Sequence, residues 1–424
     1  MNRRPVWILI TLALAACGPR PDVAKKATID ELVEEYLFLE LSMALHDPAH
    51  VDAYFGPEGI KAAAEAENPG LEEIRARSES LAAQFRNVGG DVVRVEGLLA
   101  RLRALDARID LAGGKTATFD EESERLFGVR APDYDAAHFD TILAEIDALL
   151  PGDDELSVRV NEFRSQFEVP PDKLAAVLET ATEECRRRTL EFIALPDGES
   201  YTVEYVTDKP WSGYNWYQGD SQSLIQFNTD LPRRIDGAVD LGCHEGYPGH
   251  HTYNALLEQN LVHDRGWIEY SLYPLFSPQS LIAEGSGNYG IQLAFPGDER
   301  IQFEREVLFP IAGLDASEAD RYYALDKLLG KLNYAGNEAA RDYLNGDMTR
   351  EQAIDWLVRY SLMTPERAAQ RADFIDTYRS YVINYNYGKD LVRDYMERGT
   401  DDPAERWSRF EELLSSPKLP SDLL

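Results

Sequence analysis

Seven histidines are spread over 424 residues, and three of them fall within the eight positions His244-Glu245-Gly246-Tyr247-Pro248-Gly249-His250-His251. Imidazoles and a carboxylate, with a further acid close by, are the donor set of a catalytic zinc that keeps one position open. The familiar zinc-peptidase string sets its two histidines four residues apart, so that both share one face of a helix. That spacing is absent here. On a regular helix His250 lies about 600° around from His244, on a different face, and His251 returns to the first face only about 10 Å further along the axis. Between them stand Pro248, which removes a backbone donor and crowds the preceding turn, and Gly249, which tolerates unusual dihedrals. A bulge absorbing two residues would bring His250 to where the second histidine normally stands, so His250 is preferred to His251 as the second ligand. Glu245, beside the first histidine, is then the group that takes a proton from the attacking water and later gives it to the leaving amine.

A third protein ligand is needed. Glu284, in SLIAEGSGNYG, lies among Leu281, Ile282 and Ala283, where a buried carboxylate is costly without a cation beside it. A structural, salt-bridged role is the competing reading. Other chemistries have little support: no Gly-rich phosphate loop and no G-x-S-x-G elbow occurs. With 75 acidic residues, paired carboxylates are too common to single out a glycosidase.

The string HEGYPGHH with a downstream Glu-Gly pair resembles the bacterial family DUF885, grouped with gluzincin-type metallopeptidases. The resemblance implies a multi-helix metallopeptidase-like fold and a Zn2+ cofactor. It implies His244, His250 and Glu284 as metal ligands and Glu245 as general base. Tyr385-Asn386-Tyr387-Gly388 resembles the family's Tyr-x-x-Gly segment, which makes Tyr385 the hydroxyl for the oxyanion and Tyr387 the second choice. Two departures touch the pocket: Ser286 stands where the family has a large aromatic, and no proline accompanies Arg379. An ordinary ion pair is the plainer reading of Arg379, and core packing that of Trp211, Trp216 and Tyr217.

The elements that must position these groups are mostly helical. Thr28 and Glu31 form a capping box, and helical periodicity recurs over 71–87, 90–110, 136–150 and 172–193. Residues 28–195 read as an N-terminal helical region and 196–424 as a catalytic region. Within the latter, 199–229 alternates and is rich in turn residues, which predicts a small sheet of two to four strands just before the histidine cluster. Helices resume near Pro232, with a capping box at Thr349/Gln352 and Thr364-Pro365 as an N-cap with Pro at the first helical position. The closing SSPKLPSDLL reads as loosely ordered.

The first 17 residues form an address. Arg3 and Arg4 precede eleven apolar residues, Val6–Ala16, too short to span a bilayer. Leu14-Ala15-Ala16-Cys17 resembles the bacterial lipobox, in which the Cys is acylated. Residues 1–16 are then a signal peptide and 17–27 a linker. Gly18, where inner-membrane lipoproteins carry Asp, points to an outer-membrane anchor facing the periplasm. Cys185 and Cys243 are expected as two separate small buried residues, although an oxidising compartment would let them pair. A net charge of −32 argues against nucleic-acid binding. The expected function is therefore a zinc-dependent envelope peptidase acting on peptides; the alternative is a non-catalytic lipoprotein that binds metal or peptide.

Overall fold

The computed structural model describes residues 27–209 and 211–424. Residues 1–16, expected to be a signal peptide, and the acylation candidate Cys17 lie outside the described residues. The fold is mainly helical. The first part runs through α1 (Ile29–Ala44), β1 (Val51–Tyr54), α2 (Glu58–Glu67), α3 (Leu71–Phe85), α4 (Val92–Ala112), α5 (Phe119–Phe127), α6 (Ala136–Leu149), α7 (Leu156–Ser165) and α8 (Pro171–Thr189). The capping boxes at Thr28 and Thr349 and the N-cap at Thr364 form as expected.

Three strands follow, β2 (Ser200–Val206), β3 (Gly213–Gly219) and β4 (Gln222–Asn228), in the order β2-β4-β3. β2 runs parallel to β4 and β3 antiparallel to it, so β3 is an outer strand. Burial alternates along β4, with Ser223, Ile225 and Phe227 inward, because successive side chains of a strand point to opposite faces. A second, two-stranded antiparallel sheet joins β1 to β5 (Leu272–Pro274). Nothing in the sequence separated β1 from the surrounding helical texture. Its register shifts between Val51 and Ala53, leaving Asp52 at the irregularity.

The site segment is α9 (Asp236–Leu241), a π turn (Gly242–Gly246) and α10 (His250–Leu257), followed by β5 and α11 (Pro278–Ala294). The chain closes with α12 (Glu299–Phe303), α13 (Phe309–Ala312), α14 (Ala319–Lys331), α15 (Ala335–Asn345), α16 (Arg350–Tyr360), α17 (Pro365–Tyr378), α18 (Ile383–Glu397) and α19 (Pro403–Leu414). One apolar core gathers residues from α4 to the C-terminal end, and a smaller one lies among α1, α3 and α4. α11 is buried on nearly every face although it carries the polar residues Gln279, Ser280, Glu284 and Ser286. It lies close against α18, with Gly285 facing Gly388. A Cβ at Gly285 would stand 2.5 Å from the carbonyl carbon of Gly388, so a side chain there would force the helices apart. That approach places Glu284, on α11, beside the tyrosines around the start of α18.

Two expectations need correction. Cys185 and Cys243 are not separate: they form a disulfide tying α8 to the π turn. The C-terminal tail is not loose. Pro420 and Leu423 are buried, and Arg398 donates to the carbonyls of Leu423 and Leu424, so apolar side chains and a guanidinium hold it down. Among the described residues, no helix is long and apolar enough to cross a membrane.

Candidate metal centre

The segment between His244 and His250 is not a regular helix. The π turn carries His244 and Glu245, the Tyr247–Pro248 peptide is cis, and α10 begins at His250. The N–H of Gly249 donates to the carbonyl of Cys243 at 3.0 Å, a bond reaching back six residues rather than four. This takes up the two extra residues of the string. Regular bonding then resumes, with the Tyr253 N–H on the Gly249 carbonyl at 2.9 Å. The rings of His244 and His250 are thereby brought to a centroid separation of 4.6 Å.

Glu284 meets them from α11. Its Oε2 is 3.1 Å from His244 Nε2, and its Oε1 is 3.7 Å from His250 Nε2. One donor atom from each of the three residues lies within 4.8 Å of the others. Glu284 is 6% exposed, and its Oε2 has no hydrogen-bond partner: the nearby imidazole is off the line of one. Three side chains thus aim donor atoms at a shared point while one buried carboxylate oxygen stays unsatisfied. That fits a divalent ion bound by two nitrogens and an oxygen. Without the ion, His244 supplies the counter-charge. Burial opposes its protonation, but the carboxylate of Glu284 and the charge of Glu245 outweigh that and raise its pKa to about 9. Burial would likewise raise Glu284, yet the two histidines hold it well below the usual carboxylate range.

His251 turns the other way. It is fully buried, with Nδ1 2.8 Å from the Ser223 hydroxyl and Nε2 3.0 Å from Glu199 Oε2. Glu199 also accepts from the Tyr247 hydroxyl at 2.6 Å and from Arg186. Burial would raise the Glu199 carboxyl, but these bonds, led by that to His251, lower it to about 2.

Glu245 is 6% exposed and its carboxylate makes no hydrogen bond or ion pair among the described residues. Burial raises its pKa, opposed by the two histidines. It lies against β3: a Cβ at Gly213 would come within 2.9 Å of Glu245 Oε1 and Leu241 Cδ2, so a side chain there would displace the carboxylate. The Asn215 amide donates to the Glu245 carbonyl at 2.7 Å and fixes the π turn to the same strand.

The tyrosines divide. Tyr381, which the sequence reading passed over, donates to Glu284 Oε1 at 2.8 Å. Its spacing of four before Tyr385 was the available signal. The Tyr385 hydroxyl makes no hydrogen bond among the described residues; its ring lies 5.8 Å from that of Tyr381, and burial with the charge of Glu284 raises its pKa well above normal. Burial, then the charges of Asp390 and Asp394, raise the pKa of Tyr387. Arg379 pairs with Glu122 at 2.7 Å, the plainer of its two readings. Tyr217 is buried against Glu258, while Trp216 is 41% exposed on the opposite face of β3. Asp52 was invisible from sequence. It lies some two hundred residues from the cluster, yet the negative charges of Glu284 and Glu245 act on it.

No family model matches the chain, and no curated protein matches it. Solved structures do. A candidate lipoprotein from Colwellia psychrerythraea superposes with a TM-score of 0.51 at 15% identity, covering 93% of this chain and 74% of that one. A candidate lipoprotein of unknown function from Shewanella oneidensis gives 0.44 at 13% identity, over 86% of this chain and 74% of the other. Metallocarboxypeptidase 1 of Trypanosoma cruzi gives 0.43 at 12% identity, over 93% and 89%. At these identities the likeness is one of fold: the chain has the mainly helical architecture of the Colwellia protein.

Proposed function

We propose that this chain is a zinc-dependent peptidase of gluzincin type, anchored in the bacterial cell envelope. The observation that carries the reading is the convergence of His244, His250 and Glu284 on one point, with Glu284 Oε2 unpartnered and Glu245 alongside. The HEGYPGHH string and its resemblance to DUF885 support the same assignment. His251 is set aside as a ligand because both its nitrogens are engaged.

A zinc ion held by these three residues would supply Lewis acidity toward water and the scissile carbonyl. The protein's own groups do the rest. β3 offers its outer edge to an extended peptide, and Gly213 lets that peptide lie close to Glu245. Glu245, with a raised pKa and no competing partner, takes the proton of the attacking water and returns it to the leaving amine. Tyr385 keeps a free hydroxyl for the carbonyl oxygen as negative charge develops on it. Tyr381 holds Glu284 in place instead. The lipobox-like Leu14-Ala15-Ala16-Cys17 supports acylation at Cys17 and periplasmic exposure at the outer membrane, in keeping with the lipoprotein descriptions of two structural neighbours.

With zinc present the protein should cleave members of a broad peptide library. Glu245→Gln should keep stoichiometric zinc and lose about a thousandfold in rate. Equal inertness of both proteins would leave a metal- or peptide-binding lipoprotein instead. Zinc retained by His244→Ala would refute the ligand set.

A further inference from the structure

Several arginines packed into this protein meet carboxylates. Arg94 pairs with Glu269, Arg164 with Asp236, Arg300 with Glu304, Arg341 with Asp120 and Arg379 with Glu122. Acids outnumber Lys and Arg by 75 to 43, so a carboxylate is seldom far to seek. Two half-buried arginines of α17 are different. Among the described residues, the guanidinium of Arg371 makes no hydrogen bond and no ion pair. It lies instead over the ring of Phe374, 4.8 Å from the centre. Arg367 has no carboxylate partner either, and its guanidinium donates only to the Pro232 carbonyl, at 3.1 Å.

Arg367, Arg371, Phe374 and Tyr378 recur at helical spacing and fall within about 60° of one another around α17. The acids of this helix lie on its other side, where Asp373 and Asp376 meet Arg350. Measured contacts tie both ends of the stripe to the metal centre. At one end the Phe374 ring is 6.1 Å from that of Tyr385, and the Tyr378 ring is 6.1 Å from that of Tyr381, whose hydroxyl is on Glu284 at 2.8 Å. At the other end Arg367 holds Pro232, and the next residue, Arg233, donates to the Ser212 carbonyl at 2.9 Å. Ser212 precedes Gly213, which lies against Glu245. Arg233 likewise has only carbonyls as acceptors. Burial, then the charges of Arg367 and Arg234, lower its pKa to about 10. Burial, then Arg234 and Arg164, lower that of Arg367, and burial lowers that of Arg371. Guanidiniums gathered with no anion among them are costly to keep unless one binds there.

Resting on the peptidase reading, we propose that this face of α17 flanks the bound substrate, and that Arg371 and Arg367 bind side-chain carboxylates of an acidic peptide. Four residues of helix rise about 6 Å, and side chains on one side of an extended peptide repeat at about 6.7 Å. The two guanidiniums therefore match an acid at every second position of the peptide. A chain terminus offers a single carboxylate and would leave one of the pair unmet. The protein as a whole, at a net charge of −32, repels such a peptide, so its capture is the work of this local face.

The test uses zinc-loaded full-length protein and three peptides: one alternating Ala and Glu with acetyl and amide caps, the same peptide with Gln for Glu, and the Gln peptide with a free C-terminal carboxylate. The wild type should cleave the Glu peptide with kcat/KM about tenfold or more above the capped Gln peptide, as for one charge-assisted contact. Arg371→Gln should remove most of that preference through KM rather than kcat, and Arg367→Gln should act in the same direction. Arg371 has no polar bond to lose, so thermal unfolding and zinc content of Arg371→Gln should match the wild type. Binding is read separately by calorimetry on Glu245→Gln: the Glu peptide should bind about tenfold tighter than the capped Gln peptide, and adding Arg371→Gln should close most of that gap. Cleavage of the Glu and Gln peptides at equal rates overturns the acidic preference and leaves the peptidase. A preference for the free C-terminal carboxylate over both capped peptides assigns Arg371 to a chain terminus and overturns the side-chain proposal. Discrimination in binding with no cleavage upholds the site while the peptidase reading fails. Neither cleavage nor discriminating binding refutes both.

Discussion

His250 and His251 are consecutive residues at the start of one helix, and they enter two opposite kinds of cluster. On one side His250, His244 and Glu284 gather with a buried carboxylate oxygen left over. On the other, both His251 nitrogens are engaged, and Glu199 is met by an imidazole, a hydroxyl and a guanidinium. The residue types are nearly the same; the satisfaction of their polar atoms is not. A filled network holds elements together, here β4, the loop before β2, α8 and α10. An unfilled one pointed at a common centre is costly to maintain unless something binds there.

Substituting the two carboxylates breaks this contrast most directly. Glu284→Gln should lower zinc affinity by more than about a hundredfold, the upper range seen for residues that merely support a metal ligand. Glu199→Gln should leave zinc affinity unchanged. Titration against a competing chelator measures both, and equal losses would erase the distinction between the clusters.

Stability should respond as well. Glu199→Gln leaves His251 and Tyr247 poorly met and should cost about 2 kcal/mol in urea unfolding of the metal-free protein.

Proton competition sharpens the metal side. The metal-free protein keeps a proton on His244 up to about pH 9, and zinc must expel it. Zinc affinity should therefore rise by up to about tenfold per pH unit below that point and level off above it. A flat profile between pH 6 and 8 would contradict the pairing of His244 with Glu284.

The smallest effect is on the other side. Glu199 is held at about 2 in the fold, against about 4.3 for a free glutamate. Its contribution is thus present above about pH 4.3 and fades as pH falls toward 2. The stability gap between wild type and Glu199→Gln should narrow over that interval, as followed by thermal unfolding.

Much of this site was legible before any coordinates. The tight His-Glu cluster singled out His244, Glu245 and His250, and the Pro-Gly interruption called for a two-residue accommodation, which the Gly249–Cys243 bond provides. The sheet at 199–229 showed in its alternation, and the helices in their period and caps. The Tyr385 assignment came from a resemblance; its free hydroxyl distinguishes it from Tyr381, which is committed to Glu284. What escaped the reading shares a cause. The Cys185–Cys243 bond, the β1–β5 pair and the approach of Asp52 all join segments far apart in the chain. Local pattern carries no information about such meetings.

By itself, then, the sequence determined which atoms were available: two flexible imidazoles around a helix break, a nearby base, and an isolated glutamate in an apolar segment. Periodicity and turn chemistry are set over a few residues, so they can be read from a few residues. Tertiary structure alone decided which imidazole faces Glu284 and that Asp52 meets the hydroxyl of Tyr214. Those outcomes depend on how α11 seats against α18 at Gly285 and Gly388, and on where β1 bends. Both are fixed by the packing of the whole core.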